Sequence, residues 1–273
     1  MSLCLEVDEV DKHYSVGQSV IETLRKITFN VTHKEFVCII GPSGCGKSTL
    51  LRLIAGLDTP SRGEIRFHGE NIRHPHHKIS MIFQGFALFP WRNTIENIEF
   101  GLEVQGIERK ERRESAIAFA EMVGLEGYEH LYPKQLSGGM KQRVGLARAL
   151  AVDPDLVLMD EAFSSLDEFT AQVLRNEVAD LWAETGKTFV LATHNLGEAL
   201  ELADRILVLS ARPAKVKNNI PIELSRPRNK HDAQFTKVQR ELFDSLREEL
   251  KATLIRRKLK KVHEAHNIDD IEA

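Results

Sequence analysis

The segment from Gly41 to Thr49 reads GPSGCGKST and carries the clearest chemical signal in this 273-residue sequence. It fits the pattern G-x-x-x-x-G-K-[ST], in which glycines let backbone N–H groups approach a phosphate closely. Lys47 would place a positive charge at the β- and γ-phosphates, and the Ser48 hydroxyl would bind Mg²⁺. We therefore predict a nucleotide-binding P-loop; the alternative is a glycine-rich turn that binds nothing. The loop residues are Gly41, Pro42, Ser43, Gly44, Cys45, Gly46, Lys47, Ser48 and Thr49.

Polar side chains follow three apolar segments of strand type elsewhere in the chain. Gln84 follows the first, Asp160 and Glu161 end the second, and His194 follows the third. Because ligands of open α/β sheets bind at the carboxyl ends of the strands, we expect these side chains to surround the P-loop. Asp160 can then bind Mg²⁺ while Glu161 addresses an attacking water, and Gln84 can reach the metal or its water. Solvated acids and a structural histidine are the alternative.

A second anion-binding feature is predicted at the segment LSGGMKQR, residues 136–143. Ser137 is placed to cap the helix that follows, while Gly138 and Gly139 leave backbone N–H groups open at its positive end. A plain capped helix is the alternative, and the segment alone favours neither interpretation.

Three other segments have two interpretations each. Tyr14 is either a core aromatic or a stacking platform for a purine base. Phe86–Arg92 holds three aromatics and either forms a contact surface or packs on its own domain. Arg73–His77 holds three histidines, but Pro75 interrupts them, so we expect a solvated loop rather than a metal site.

The elements that must position these residues are those of an α/β protein. Period-2 patterning over residues 3–32 predicts a small antiparallel sheet with a turn near Tyr14–Gly17. Strand patterns also lead into the P-loop at Glu35–Ile40 and supply the last core strand at Arg205–Ser210. Helical spacing with many charges over residues 93–152 predicts a mainly helical lobe inserted between strands of the main sheet.

The chain changes character after Leu224. Arg226–Lys230 is predicted to be a polar linker, and Gln234–Leu250 has helical apolar spacing. Lys251–His263 then carries six Lys and Arg residues and no acid. A basic amphipathic helix can lie on anionic lipid, whereas a solvated helix face or a disordered end is the alternative. We assign three ranges: one domain at 3–230, a helical part of it at about 86–152, and a helical, basic extension of unassigned role at 231–273.

Composition excludes some classes of function. Apolar residues make up 42% and charged residues 28%, and the net charge of −3 gives no basic excess for nucleic acid. Cys4, Cys38 and Cys45 have no metal-type spacing, and an odd count with one cysteine in the P-loop fits a reducing cytoplasm. We see no secretory signal and no run approaching about 20 apolar residues, so any membrane role should come through a partner.

Together, these motifs resemble the nucleotide-binding subunit of ATP-binding cassette (ABC) transporters over about residues 3–222. FPWRNTIENIEFGL and LSARP resemble the nitrate, sulfonate and taurine import branch. The resemblance implies a P-loop NTPase fold with a RecA-like core, an N-terminal antiparallel β subdomain and an inserted helical subdomain. It rests on GPSGCGKST, Gln84, LSGGMKQR at 136–143, LVLMDE at 156–161, SSLD at 164–167 and His194, in matching order and spacing.

The resemblance also implies roles for individual residues in a Mg²⁺-dependent ATPase. Tyr14 would stack on adenine, and Gly41–Thr49 would hold the phosphates. Ser48 and Gln84 would lie at Mg²⁺. Glu161 would be the general base, and His194 would contact the γ-phosphate together with Lys47.

Further roles implied by the resemblance concern partners. Ser137, Gly138 and Gly139 would contact the γ-phosphate bound to the other protomer of a homodimer, and Asp167 would cross the interface. Phe86–Arg92 would lie near the groove that receives a transmembrane permease subunit. The chain would then act as a peripheral protein at the cytoplasmic face of the cell membrane, with a periplasmic or extracellular solute-binding protein as an indirect partner and no nucleic acid.

Three alternatives differ in class. A non-transport ABC ATPase acting on nucleic acid or the ribosome would be expected to show a coiled-coil insertion or tandem cassettes, which 273 residues do not contain. A P-loop kinase for a small metabolite would leave LSGGMKQR without a role. An ABC exporter subunit stays possible within transport, although a separate cassette fits an importer better.

Overall fold

The computed structural model describes residues 2–17, 19–228, 230, 232–244 and 247. Two sheets organise this part of the chain: a four-stranded antiparallel sheet in the order β2-β1-β4-β5, and a six-stranded sheet in the order β10-β9-β3-β8-β7-β6. The strands are β1 Leu3–Val16, β2 Ser19–Thr32, β3 Phe36–Ile40, β4 Arg62–Phe67, β5 Glu70–Asn71, β6 Ile79–Ile82, β7 Leu156–Asp160, β8 Thr188–Thr193, β9 Arg205–Leu209 and β10 Val216–Pro221. The helices are α1 Lys47–Ile54, α2 Thr94–Ile98, α3 Phe100–Val104, α4 Arg109–Met122, α5 Gly138–Ala151, α6 Glu168–Thr185 and α7 Leu196–Leu202.

The predicted antiparallel sheet is present at the N-terminus. β1 pairs with β2 and with β4, and alternate side chains such as those of Leu5 and Val7 are buried. The turn predicted near Tyr14–Gly17 is placed too early, because Tyr14 lies within β1 and pairs with Ile21 of β2. Strand pairing therefore carries the backbone past the polar residues that suggested a turn.

The central sheet is buried on both faces. In β3, Phe36, Cys38 and Ile40 belong to one hydrophobic cluster, while Val37 and Ile39 belong to the other. Such continuous apolar strands are typical of parallel sheets covered on both sides. β6, β7, β8, β3 and β9 are parallel, so their carboxyl ends share one edge.

A helical stretch separates β6 from β7, which are neighbours in the sheet. α2 begins at a capping box in which Asn93 accepts from the Glu96 N–H and Glu96 accepts from the Asn93 N–H. α2, α3 and α4 then contact α5. The helices predicted between residues 93 and 152 are thus observed, and they form an insertion between two neighbouring strands of the parallel sheet.

Arg205–Ser210 is not the last strand of the core, contrary to the prediction. β10 pairs antiparallel with β9 and forms the edge of the sheet. Its residues alternate between intermediate and exposed, and it ends at Pro221. A half-exposed edge strand with the sequence VKNNIP lacks the apolar density that identified the other strands.

The segment predicted as a polar linker is attached to the core. Arg226 donates to the Asp204 carboxylate and to the Leu202 carbonyl, while Arg228 donates to the Leu200 carbonyl at 2.6 Å. The guanidinium groups of Arg226 and Arg228 therefore attach to the core a segment that the sequence predicted to be a polar linker.

Residues 233–244 are helical, and Phe235 and Leu242 are buried in the core. Leu246, Leu250 and the basic run Lys251–His263 lie outside the described residues. Within the described part of the chain, no helix combines the length and apolar character needed to cross a membrane.

Candidate nucleotide site

The P-loop connects the carboxyl end of β3 to the first turn of α1. Gly44 and Gly46 have φ values of +75° and +129°, which side chains rarely adopt. A Cβ atom at Gly46 would also lie 2.8 Å from Cδ2 of Leu24. These two positions therefore require glycine, and the loop can keep its N–H groups clear of side chains.

Lys47 is 4% exposed and extends back over its own loop. Its Nζ donates to the carbonyls of Gly41 at 2.9 Å and Pro42 at 3.3 Å. The same Nζ lies 3.8 Å from Oε1 of Glu161. The ammonium group is thus held between the phosphate loop and the strand that carries the predicted base.

Ser48 and Asp160 form a pair suited to a hard cation. Oγ of Ser48 donates to Oδ1 of Asp160 at 2.9 Å. Burial raises the pKa of the Asp160 carboxyl, the Ser48 hydrogen bond opposes that shift, and the nearby Glu161 charge adds to it. Because Mg²⁺ prefers oxygen ligands, this hydroxyl and carboxylate fit the ion that the P-loop motif implies.

Glu161 lies at the centre of a polar cluster at the end of β7. Oε2 of Glu161 accepts a hydrogen bond from Nε2 of Gln84 at 3.1 Å and lies 3.4 Å from Nδ1 of His194. The structure therefore brings Gln84, Glu161 and His194 together, as the strand-end argument predicted. Glu161 has φ +47°, a left-handed conformation that is uncommon outside glycine and clusters at functional sites.

The segment around His194 is fixed by neighbouring hydrogen bonds. The Asn195 N–H donates to Oγ1 of Thr193 at 3.0 Å, and Thr193 donates to the buried Glu198 carboxylate. Oδ1 of Asn195 accepts from the Gly197 N–H at 2.8 Å and caps α7. The strand end and the following helix thereby restrict the position of His194.

A cavity of about 170 Å³ lies beside the P-loop. Arg212, which follows β9, contributes to its wall and was not among the predicted site residues. The only signal for it was its place in LSARP, which was interpreted as a mark of the import branch. The lining residues are Gly44, Gly46, Lys47, Ser48, Thr49, Glu161 and Arg212.

Cys45 of the P-loop packs into the hydrophobic core. It is 2% exposed, and burial raises the pKa of its thiol. A Cβ atom at Gly41 would lie 3.0 Å from Sγ of Cys45. Pro42 and Ser43 complete the loop, and the Cys45 N–H donates to the Pro42 carbonyl at 3.1 Å.

Tyr14 is neither a core residue nor remote from the loop. The residue is 37% exposed, and its hydroxyl donates to Oδ2 of Asp58 at 2.8 Å. The phenol also interacts with Thr49, and Nζ of Lys12 lies 4.9 Å from the ring centroid. An exposed ring held next to the start of α1 leaves the stacking interpretation available.

Ser137 caps α5 as predicted. Its Oγ accepts a hydrogen bond from the Met140 N–H at 3.2 Å. Cβ atoms built at Gly138 and Gly139 would lie 3.3 Å from Leu166 and 2.8 Å from Thr170. These three residues do not line the P-loop cavity of the same chain, as the described residues form it.

Phe86–Arg92 is a loop that hydrogen bonds attach to the domain at one end and that exposes Trp91 to solvent at the other. Arg148 donates to the carbonyls of Phe86 at 2.9 Å and Ala87 at 2.7 Å, and both of these residues have positive φ. Phe89 packs against Phe100 with ring centroids 4.5 Å apart, whereas Trp91 is 71% exposed. The loop therefore packs on its own domain and also presents an aromatic surface.

Several known proteins are similar in sequence to this chain along most of their length. The ABC transporter family profile matches residues 24–164. An uncharacterized ABC transporter ATP-binding protein of Methanocaldococcus jannaschii is 42% identical over 93% of this chain and 95% of its own. The aliphatic sulfonates import ATP-binding protein SsuB of Bacillus cereus is 40% identical, covering 88% and 95% of the two chains. The nitrate import ATP-binding protein NrtD of Synechocystis is 39% identical, covering 89% and 95%.

Solved structures agree with the sequence comparison. A dimeric ATP-binding cassette in a post-hydrolysis state, bound to ADP and Pi, superposes with a TM-score of 0.73 at 33% identity. The match covers 80% of this chain and 99% of that one. The predicted P-loop NTPase fold class is confirmed, and the chain belongs to the ABC transporter family as one of its ATP-binding subunits.

Proposed function

We propose that this chain is the Mg²⁺-dependent ATP-hydrolysing subunit of an ABC importer, working as a homodimer with separate membrane subunits. The observation that carries this proposal is the convergence of side chains from three strand ends, those of β6, β7 and β8, on one P-loop. Ser48 contacts Asp160, while Glu161 lies within 3.8 Å of Lys47 and within 3.4 Å of His194. Mg²⁺-dependent hydrolysis of a nucleotide explains why a hydroxyl and a carboxylate suited to a cation lie next to a second carboxylate that can act as a base.

The side chains have separate roles in phosphoryl transfer. The P-loop amides and Lys47 hold the β- and γ-phosphates, which aligns the bond to be broken. Ser48, Asp160 and Gln84 would hold Mg²⁺, which would supply positive charge to neutralise the phosphates. Glu161 accepts a proton from the attacking water.

Neighbouring groups position that base and the terminal phosphate. Gln84 and His194 orient Glu161 from either side, and His194 can also contact the γ-phosphate. Tyr14 offers its ring to the adenine. These roles are supported by the distances within the cluster and by the order of the motifs along the chain.

The dimer is proposed because the chain contains two anion-binding features at separate places. The capped end of α5 at Ser137, Gly138 and Gly139 has open N–H groups but lies outside the P-loop cavity of its own chain. A head-to-tail pair would place each α5 end on the γ-phosphate held by the partner, with Asp167 near the interface. Two ATP molecules would then join the protomers, and hydrolysis would release them.

Transport specificity would come from other subunits. Relatives named for aliphatic sulfonate and nitrate import support a small anion such as nitrate, a sulfonate or taurine as the cargo. We place the contact with a transmembrane permease near Phe86–Arg92, where Trp91 is exposed. This arrangement makes the chain a peripheral protein at the cytoplasmic face of the membrane, with a solute-binding protein acting on the far side.

The proposal is tested in two stages with the full chain. Purified protein should release phosphate from ATP only when Mg²⁺ is present, with a cooperative dependence on ATP. A tagged chain isolated from detergent-solubilised membranes of its source cells should bring a polytopic membrane protein with it. Absence of ATP hydrolysis, or salt-sensitive copurification with nucleic acid or ribosomes instead, would overturn the proposal.

A further inference from the structure

Four side chains from four separate elements meet at the end of the parallel sheet that lies opposite the P-loop. Cys4 belongs to β1, His33 to the turn between β2 and β3, His68 to the turn between β4 and β5, and Asp155 precedes β7. One ligand atom from each of Cys4, His33 and His68 lies within 4.8 Å of those of the other two. This grouping was not visible in the sequence, where the close histidines are those of Arg73–His77.

Backbone hydrogen bonds hold Cys4, His33 and His68 in place. The His68 N–H donates to the Cys4 carbonyl at 3.0 Å, and the His33 N–H donates to the Ser2 carbonyl at 3.3 Å. The rings of His33 and His68 stack with centroids 4.9 Å apart and planes inclined by 18°. His68 and Gly69 both have positive φ, which gives the tight turn that directs the His68 ring toward β1.

Asp155 supplies the negative charge and the orienting contact that such a site needs. Its Oδ2 lies 3.1 Å from Nε2 of His68. Histidines that bind metals commonly hydrogen-bond a carboxylate through the ring nitrogen that does not bind the ion. The Cys4 thiolate and the Asp155 carboxylate together would balance the two charges of a divalent cation.

We propose that Cys4, His33 and His68 bind a divalent ion of the zinc class, with Asp155 positioning the His68 ring. One sulfur and two imidazole nitrogens are the ligands that Zn²⁺ selects, at about 2.3 Å and about 2.0–2.1 Å. Tetrahedral binding at those lengths puts ligand atoms roughly 3.5 Å apart. Side-chain rotations that move each ligand atom by about 1 Å would therefore complete the site. Water can supply the fourth ligand, because both histidines are exposed.

The location separates this site from the nucleotide. β3 has five residues and runs from the turn that contains His33 to the P-loop, which corresponds to about 16 Å. The ion would link β1 and β4 of the antiparallel sheet to the His33 turn that leads into β3 of the parallel sheet, and the Asp155–His68 contact extends this link to the start of β7. Its role is therefore structural: it fastens the two sheets at the end that carries no ATP chemistry.

Cobalt substitution tests the proposal, because tetrahedral Co²⁺ bound to a thiolate has a charge-transfer band in the near ultraviolet and intense visible bands. The full-length, metal-stripped protein is saturated with Mg-ADP, titrated with Co²⁺, and then with Zn²⁺ in competition. We expect one equivalent of Co²⁺ with both features, displaced by Zn²⁺. Cys4→Ser should abolish the charge-transfer band, and Asp155→Asn should weaken the affinity by about 10–100-fold.

Two further variants keep the test decisive. His33→Gln changes an exposed turn and should also remove tight binding if Cys4→Ser fails to fold. His77→Gln is the matched control, since His77 is an exposed histidine of the same end of the molecule but outside the group. Cobalt binding without a thiolate band would overturn the proposal, as would equal affinity in the wild type and His33→Gln.

Discussion

The Ser48 hydroxyl donates a 2.9 Å hydrogen bond to Oδ1 of Asp160, across 112 positions of sequence. The contact joins the first turn of α1 to the last residue of β7. It places two oxygen atoms at the point where the P-loop and the sheet meet. Asp160 is 6% exposed, so its charge is costly unless a cation or a hydrogen-bond donor compensates it.

Asp160→Asn should weaken the binding of Mg²⁺ in the ATPase reaction. Removing the charge while keeping the shape leaves Ser48 with a partner but takes away the anionic ligand. We expect the Mg²⁺ concentration that gives half-maximal hydrolysis to rise by about tenfold or more. Phosphate release is measured against Mg²⁺ at saturating ATP, with Asp180→Asn, an exposed acid of α6, as the control. An unchanged Mg²⁺ dependence would remove Asp160 from the metal site.

Glu161→Gln should permit ATP binding but block turnover. The amide keeps the size of the side chain and can accept the hydrogen bond from Gln84, but it cannot take a proton from water. Loss of a general base costs about 10²–10⁴ in rate. Single-turnover hydrolysis and equilibrium nucleotide binding separate the two effects, and Glu114→Gln on the exposed face of α4 is the control. Wild-type rates in Glu161→Gln would rule out the role.

The grouping of the site's side chains could be predicted because its signals are local. The P-loop pattern lies between a strand and a helix, and the strands that end at Asp160 and Thr193 are short apolar runs. Since the carboxyl ends of parallel strands share one edge, Gln84, Glu161 and His194 could be placed together before any coordinates. The contact distances confirm that grouping.

Other features depend on contacts between distant segments and could not be predicted. Tyr14 lies in β1 because β2 pairs with it, which overrides the turn-like local sequence. Arg212 reaches the P-loop cavity because the chain returns after β9, and Arg226 is docked by Asp204. In the same way, Cys4 meets two histidines only once the turns that carry them are folded.

Ser137→Arg should abolish cooperative hydrolysis while leaving nucleotide binding intact. The substitution puts a large cation at the cap of α5, where the proposed partner γ-phosphate would approach the N–H groups of Gly138 and Gly139. Gel filtration in the Glu161→Gln background, with ATP, should show the dimer lost and the monomer retained. Glu126→Arg, in an exposed loop, controls for the added charge. Failure to bind ATP at all would show that the cap serves the P-loop of its own chain.

Arg175→Met should destabilise the fold without touching the nucleotide. The Arg175 side chain is 2% exposed; it donates to Glu201 at 2.7 Å and lies 4.0 Å from Glu198. Lys230 still reaches Glu201 at 2.6 Å. Glu168 also pairs with Arg175, at 2.7 Å, but its side chain is exposed to water. Glu198 is therefore the buried carboxylate that loses its cation. Breaking one side of a buried pair costs about 3–5 kcal/mol in the free energy of unfolding.

The loss of unfolding free energy in Arg175→Met should depend on pH, and the direction of that dependence shows whether the unpaired Glu198 carboxylate is the cause. Burial already raises the pKa of the Glu198 carboxyl, and removal of the guanidinium raises that pKa further. The folded variant then binds more protons than the unfolded chain, so its penalty is largest at the high end of the pH range, where Glu198 is ionised, and shrinks as the pH falls toward the ordinary Glu value. Urea unfolding of variant and wild type between about pH 5 and pH 7.5 measures this difference, with Arg109→Met at the exposed start of α4 as the control. A penalty that stays constant with pH would mean that lost packing, and not the unpaired carboxylate, explains the effect.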